Sequence, residues 1–125
     1  MELVEDGAPG RRVLLVDDHA AFRASAGAWL IHERQRVVGS CASGEDALVS
    51  CAQLRPDLVL LDLNLPGISG IEVAEALAAA PDPPAVILIS SDADAGVDAQ
   101  VRGAPVVGFI AKRDLTWPAV DALLC

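Results

Sequence analysis

Three carboxylates, a pair of hydroxyls and a single ammonium each stand just behind an apolar run. Asp17 and Asp18 follow residues 13–16, Asp62 follows 58–61, Ser90 and Ser91 follow 86–89, and Lys112 follows the run that ends at Ile110. A charge driven to the end of a buried run costs roughly several kcal/mol unless it is paired or bound to metal. Three such acids in one crevice would repel and raise one another's pKa. They escape by keeping a proton or by sharing a hard divalent cation. Mg²⁺ suits them, because it takes one or two carboxylates, keeps several waters and accepts phosphate oxygens. With Ser90 and Lys112 alongside, the set is equipped for phosphoryl transfer. In such a set one carboxylate can act as nucleophile and form an aspartyl-phosphate. Cation and ammonium neutralise the equatorial oxygens, and the hydroxyl hydrogen-bonds the attached group.

That chemistry requires elements that bring distant residues together. Five short apolar runs, at 13–16, 37–38, 58–61, 86–89 and 106–110, have the continuous Val/Leu/Ile character of parallel strands buried on both faces. Helical segments lie between them. The first places Phe22, Ala26, Trp29 and Leu30 on one face. The second spans 45–54 behind Ser43 as N-cap and stops before Pro56; the third spans 71–80 and ends at the proline-rich 81–84. A weak fourth is expected near 95–101, broken by Gly96, and a last one at 117–124 with Thr116 at its start and Pro118 in its first turn. The alternation predicts an α/β domain: a five-stranded parallel sheet, doubly wound in the flavodoxin-like order 2-1-3-4-5, with helices on both faces. In that order the first and third strands are neighbours, and ligands bind outside the carboxyl ends of the strands. Asp17, Asp18 and Asp62 would share one crevice flanked by Ser90 and Lys112.

Composition narrows the rest. At 125 residues one domain is expected, with residues 1–10 as a loose tail and 11–125 as the folded unit. The net charge of -9 repels phosphate backbones, so direct nucleic-acid binding by this segment is not expected. No membrane span and no signal peptide is legible, which predicts a cytoplasmic protein. Three cysteines without C-x-x-C spacing point away from zinc and from a disulfide framework. The basic residues are eight Arg and one Lys, which singles out Lys112.

The segments LLVDDHAAFR, LVLLDLNLPGISG, VILISS and GFIAK resemble the signature segments of response-regulator receiver (CheY-like) domains. The first and last, with His19 after the acid pair and no proline after Lys112, resemble most the receivers of LuxR-type (NarL/FixJ-like) regulators. The resemblance covers about residues 12–124, and the separations of 44 positions from Asp18 to Asp62, 28 to Ser90 and 22 to Lys112 suit that subgroup. It implies a two-component signalling domain whose Asp62 accepts a phosphoryl group from a histidine kinase or a small phosphodonor. It also implies Asp17 and Asp18 as the acids that hold Mg²⁺, with Asp18 the direct ligand. The Asn64 main-chain carbonyl would complete the metal site, Ser90 and Phe109 would form the switch pair, and Lys112 would be the active-site lysine. Small Ser91 would leave the phosphoryl group accessible, and Asp92 and Asn64 would tune self-dephosphorylation. The domain would thus be a signalling device rather than a turnover enzyme.

Other readings compete. Asp17 and Asp18 would otherwise serve as caps of the first helix, Asp62 as a strand-end turn residue, Phe109 as plain core, and His19 as a helix-start residue rather than a ligand. A phosphorylation-independent interaction or dimerisation module keeps the fold without the chemistry. An Asp-nucleophile phosphatase is disfavoured, because Asp62-Leu63-Asn64 lacks a second acid two residues on. Pro105 stands where the family usually has Gly before the fifth strand, with Gly103 two places early, so the fourth helix should end sooner or differently. A LuxR-type helix-turn-helix output domain would need about another 60 residues and a basic helix, so the expectation is either a single-domain receiver or a receiver cut from a longer regulator, with a homodimer on phosphorylation as a further expected partner.

Overall fold

The computed structural model describes residues 10–92, 94, 98 and 102–125. Five strands, β1 (Arg12–Val16), β2 (Arg36–Cys41), β3 (Leu58–Asp62), β4 (Ala85–Ser90) and β5 (Gly108–Ala111), form one sheet in the order β2-β1-β3-β4-β5. Every neighbouring pair is parallel, as the apolar runs predict. Alternate residues feed opposite cores, the period-2 consequence of a pleated strand. Leu14, Val16, Val59, Leu61, Val86 and Leu88 face the helices α2 (Gly44–Leu54) and α3 (Gly70–Ala78), meeting Ala47, Cys51, Val73, Ala74 and Leu77. Val13, Leu15, Leu58, Leu60, Ile87, Ile89 and Ile110 face α1 (Ala20–His32) and α4 (Trp117–Leu124), meeting Ala26, Leu30 and Val120. Each fully buried Leu, Ile or Val contributes about 1.5–3 kcal/mol by leaving water, so two cores clamp the central strands from both sides.

The helix starts follow local chemistry. Ser43 accepts a hydrogen bond from the Asp46 amide at 3.2 Å, and Thr116 one from the Ala119 amide at 3.2 Å. Ser69 and Glu72 form a reciprocal capping box that launches α3. Gly70 opens that helix because nothing larger fits: a Cβ there would lie 2.5 Å from the Asp62 carbonyl oxygen and 2.9 Å from the Leu63 Cα. The amino rim of the sheet is tied through Asp57. Its carboxylate accepts from the Arg12 amide at 2.9 Å, its amide donates to the Arg12 carbonyl at 2.8 Å, and its carbonyl accepts from the Ala85 amide at 3.0 Å. One residue thus joins the starts of β1, β3 and β4.

Several boundaries differ from the sequence reading. The last strand begins at Gly108, not at Val106, because the chain is still turning there. Val106 donates back to Ala104, and Val107 is 44% exposed despite one bond to the Val86 carbonyl. Gly103 adopts φ +78° with open space around it, so the turn before β5 uses its glycine at that position, and Pro105 follows as an ordinary loop residue. The third helix stops at Ala78, two residues short of the expected end. Of the expected fourth helix near 95–101, only Asp98 lies among the described residues, and it is helical, paired with Arg102 at 3.0 Å. Of the expected tail, residues 1–9 lie outside the described residues.

Candidate functional site

The register of the sheet lines up the chemistry. Val16 pairs with Leu61, Asp62 with Ile89, and Ser90 with Ala111, so Asp17, Asp62, Ser90 and Lys112 all emerge along the carboxyl rim. The backbone ladder continues one residue past β1, where the Asp17 amide donates to the Cys41 carbonyl at 3.0 Å, and it continues past β3 from Leu63 to Ile89 at 2.9 Å. Arg23 of α1 grips the Asp17 carbonyl at 2.5 Å. Both acids are thereby fixed by main chain rather than by flexible loops.

Their surroundings set different charge preferences. Asp17 is fully buried, and burial alone would raise its carboxyl. Hydrogen bonds from Lys112 and His19 outweigh that and hold it below its ordinary value. Lys112 Nζ stands 2.5 Å from Asp17 Oδ2 and 3.7 Å from the nearer Asp62 oxygen. The ammonium is mostly buried and rests 4.4 Å above the Phe22 ring of α1, a cation–π seat that aims it at the acids. Asp62 is pushed upward, first by burial and then by the charges of Asp17 and Asp18, against the Asn64 amide, which donates to Asp62 Oδ1 at 3.1 Å. Asp17 and Asp62 are thus pushed in opposite directions, a pattern that clusters at functional sites. The reading of Asp17 and Asp18 as helix caps does not fit the geometry, since the residue ahead of α1 is His19 and the first turn of α1 holds no acid.

Ser90 is wholly buried, and its Oγ accepts from the Asp92 amide at 3.0 Å and from the Asn64 side-chain amide at 3.4 Å, leaving its own proton to donate. Phe109 does not join the polar cluster. It is half-buried at the edge of the core beneath it, against the set that includes Val86 and Leu88. Asn64, Ser91 and Asp92 are exposed at the rim.

The residues fit a divalent cation. Asp17, Asp18, His19 and Asp62 each offer one ligand atom, and these atoms lie within 4.8 Å of one another. Asp17 Oδ2 is engaged by the Lys112 ammonium at 2.5 Å, and a carboxylate oxygen keeps a further lone pair beyond that contact. Sequence reasoning missed the Phe22 seat and the Arg23 grip, and took the His19 side chain for a helix-start group rather than a participant. All lie in the segment HAAFR, but their roles depend on how α1 is rotated against the sheet.

The chain is similar to known proteins over most of its length. The family model of the response regulator receiver domain matches residues 13–116. Response regulator UvrY of Escherichia coli (strain K12) is 32% identical over 112 residues, which cover 89% of this chain and 51% of that protein. A protein-glutamate methylesterase/protein-glutamine glutaminase of Nocardioides sp. is 38% identical over 107 residues, covering 83% of this chain and 29% of that protein. The solved signal receiver domain of the response regulator NarL from Mycobacterium tuberculosis superposes with a TM-score of 0.76 at 30% identity, covering 92% of this chain and 97% of that one. The chain spans about half the length of UvrY.

Proposed function

This chain belongs to the response-regulator receiver family of two-component systems, and on that footing we propose that Asp62 is its phosphoryl acceptor in a Mg²⁺-dependent reaction. The observation that carries the reading is the convergence of Asp62, Asp17, Asp18 and Lys112 at one rim, with the ammonium 3.7 Å from the Asp62 carboxylate. Asp17, Asp18 and Asp62, with the Asn64 carbonyl, would hold the cation. When bound, it supplies charge neutralisation of the phosphoryl oxygens.

The chain's own groups do the rest. The Asn64 amide orients the Asp62 carboxylate through Oδ1. An Asp62 oxygen attacks phosphorus, a new O–P bond forms, and the bond to the donor's nitrogen or oxygen breaks with its electron pair leaving on the donor. Lys112, held between Phe22 and Asp17, lies within reach of the charge that develops on the phosphoryl group. The Ser90 hydroxyl turns its free proton toward the attached phosphate. Phosphorylation adds about -1.5 to -2 charges at one point, and that field shifts the population between two arrangements of Ser90 and Phe109. Exposed Asn64 and Asp92 flank the path of attacking water and set the rate of hydrolysis.

Upstream, the partner is a histidine kinase or a small acyl-phosphate donor. Downstream, the receiver acts on an output module, in the same polypeptide or in another, through its altered face. Residues 11–125 form the receiver unit, and the described residues include no helix long and apolar enough to cross a membrane. Incubation with acetyl phosphate and Mg²⁺ followed by intact mass tests the reading. One phosphoryl group should be gained, abolished by Asp62→Asn and by chelation of Mg²⁺. An unmodified wild-type mass overturns it.

A further inference from the structure

His19 precedes α1, but its side chain makes no cap bond to the helix. The ring turns back over the rim instead. Its Nδ1 lies 3.0 Å from Asp17 Oδ1 and 3.2 Å from Asp18 Oδ1, and its backbone amide holds the same Asp17 oxygen at 2.8 Å. Two ligands at about 2.0–2.1 Å from one divalent cation, subtending right to tetrahedral angles, stand roughly 2.8–3.5 Å apart. In the metal-free chain these are hydrogen-bond and ion-pair contacts of Nδ1 with the two carboxylates. The same separations match the bite of two ligands on one cation, which would take the place of the Nδ1 proton, and His19 belongs to the group whose ligand atoms converge within 4.8 Å. The ring is 68% exposed, so it can settle on a cation without disturbing the core.

The geometry points to His19 Nδ1 as a further metal-ligating atom, one that makes this site a seat for softer divalent cations such as Zn²⁺ and Co²⁺ in addition to Mg²⁺. The inference rests on the reading that Asp17, Asp18 and Asp62 hold a divalent cation. Imidazole is a favoured ligand of Zn²⁺, Ni²⁺ and Cu²⁺, whereas Mg²⁺ takes oxygens and keeps its waters. His19 therefore adds affinity selectively. Because the carboxylates are shared, a softer cation seated there excludes Mg²⁺.

The test is calorimetric titration of the whole chain with MgCl₂, ZnCl₂ and CoCl₂ separately, together with the visible absorption of bound Co²⁺, which registers an imidazole nitrogen. A Cys125→Ser background removes the one exposed thiol. His19→Asn keeps a polar side chain and a good helix start, and His19→Ala removes both; thermal melts confirm that each folds. Zn²⁺ and Co²⁺ should bind at least roughly tenfold more weakly in both variants, since loss of an outer-shell partner alone has that effect. The Co²⁺ spectrum should change, and Mg²⁺ affinity should stay within about twofold, as expected of a nitrogen donor that Mg²⁺ does not use. Unchanged Zn²⁺ and Co²⁺ binding overturns the inference while leaving the Mg²⁺ reading intact. Equal weakening of all three cations also overturns it, because His19 would then only orient carboxylates. His19-dependent Co²⁺ binding in a chain that takes no Mg²⁺ upholds the inference and overturns the Mg²⁺ reading instead.

Discussion

Asp62 and Asp17 sit on the same rim and respond to acid in opposite senses. Asp62 has its folded pKa raised by burial and like charge, so its ionised form destabilises the fold, and that penalty fades as pH falls through the raised value. Asp62→Asn should therefore stabilise the metal-free protein by about 1 kcal/mol at neutral pH, with a gain that shrinks toward acid; urea melts across pH read it directly. Asp17 has its folded pKa lowered, so it contributes stability above its ordinary value of 3.8, which is lost as pH falls through the lowered one. Lys112→Met removes the cation that compensates this buried acid. It should cost about 3–5 kcal/mol, partly recovered by Mg²⁺, which urea midpoints with and without the cation would show. The acids, Ser90 and Lys112 were legible in the sequence because each directly follows an apolar run, and strand ends converge by topology. The positions of Phe22, Arg23 and the His19 ring were not, because residue spacing gives the face of a helix but not its rotation over a neighbouring site.

The elements were legible wherever pattern and punctuation agreed. Ser43 and Thr116 mark helix starts that the fold uses, and the continuous Val, Leu and Ile runs mark the strands. The Ser69 capping box, one position ahead of the third helix, was not read. The approach to β5 was misread because Val106 and Val107 are apolar yet lie in a turn, and hydropathy does not report where a hydrogen-bond ladder begins. Gly70 tests how closely α3 must meet β3. Gly70→Ala should destabilise by about 1–3 kcal/mol, since the obstructing atoms are backbone and cannot rotate away. Ser69→Ala, which removes half of the capping box, should cost only about 1 kcal/mol. Equal midpoint shifts for the two would mean that the helix end slides to accommodate the methyl group.

Across the whole molecule, the net charge of -9 draws divalent cations toward the rim and holds polyanions away. Raising ionic strength from about 0.1 to 1 M shortens the screening length from about 10 to 3 Å and should weaken Mg²⁺ binding severalfold, measurable by calorimetry. The two rims are built unequally. Asp57 fastens the starts of three strands by main-chain and carboxylate bonds, whereas the opposite rim gathers like charges that relax only when neutralised. Neutralising the charge at the carboxyl rim should steady the loops that carry Asn64 and Asp92 and leave the Asp57 rim as it is. Deuterium uptake at the Leu63 and Asp92 amides should slow on Mg²⁺ addition, while the amides of Asp57 and Ala85 exchange at an unchanged rate. Asp57→Ala would free the starts of three strands and blunt that contrast.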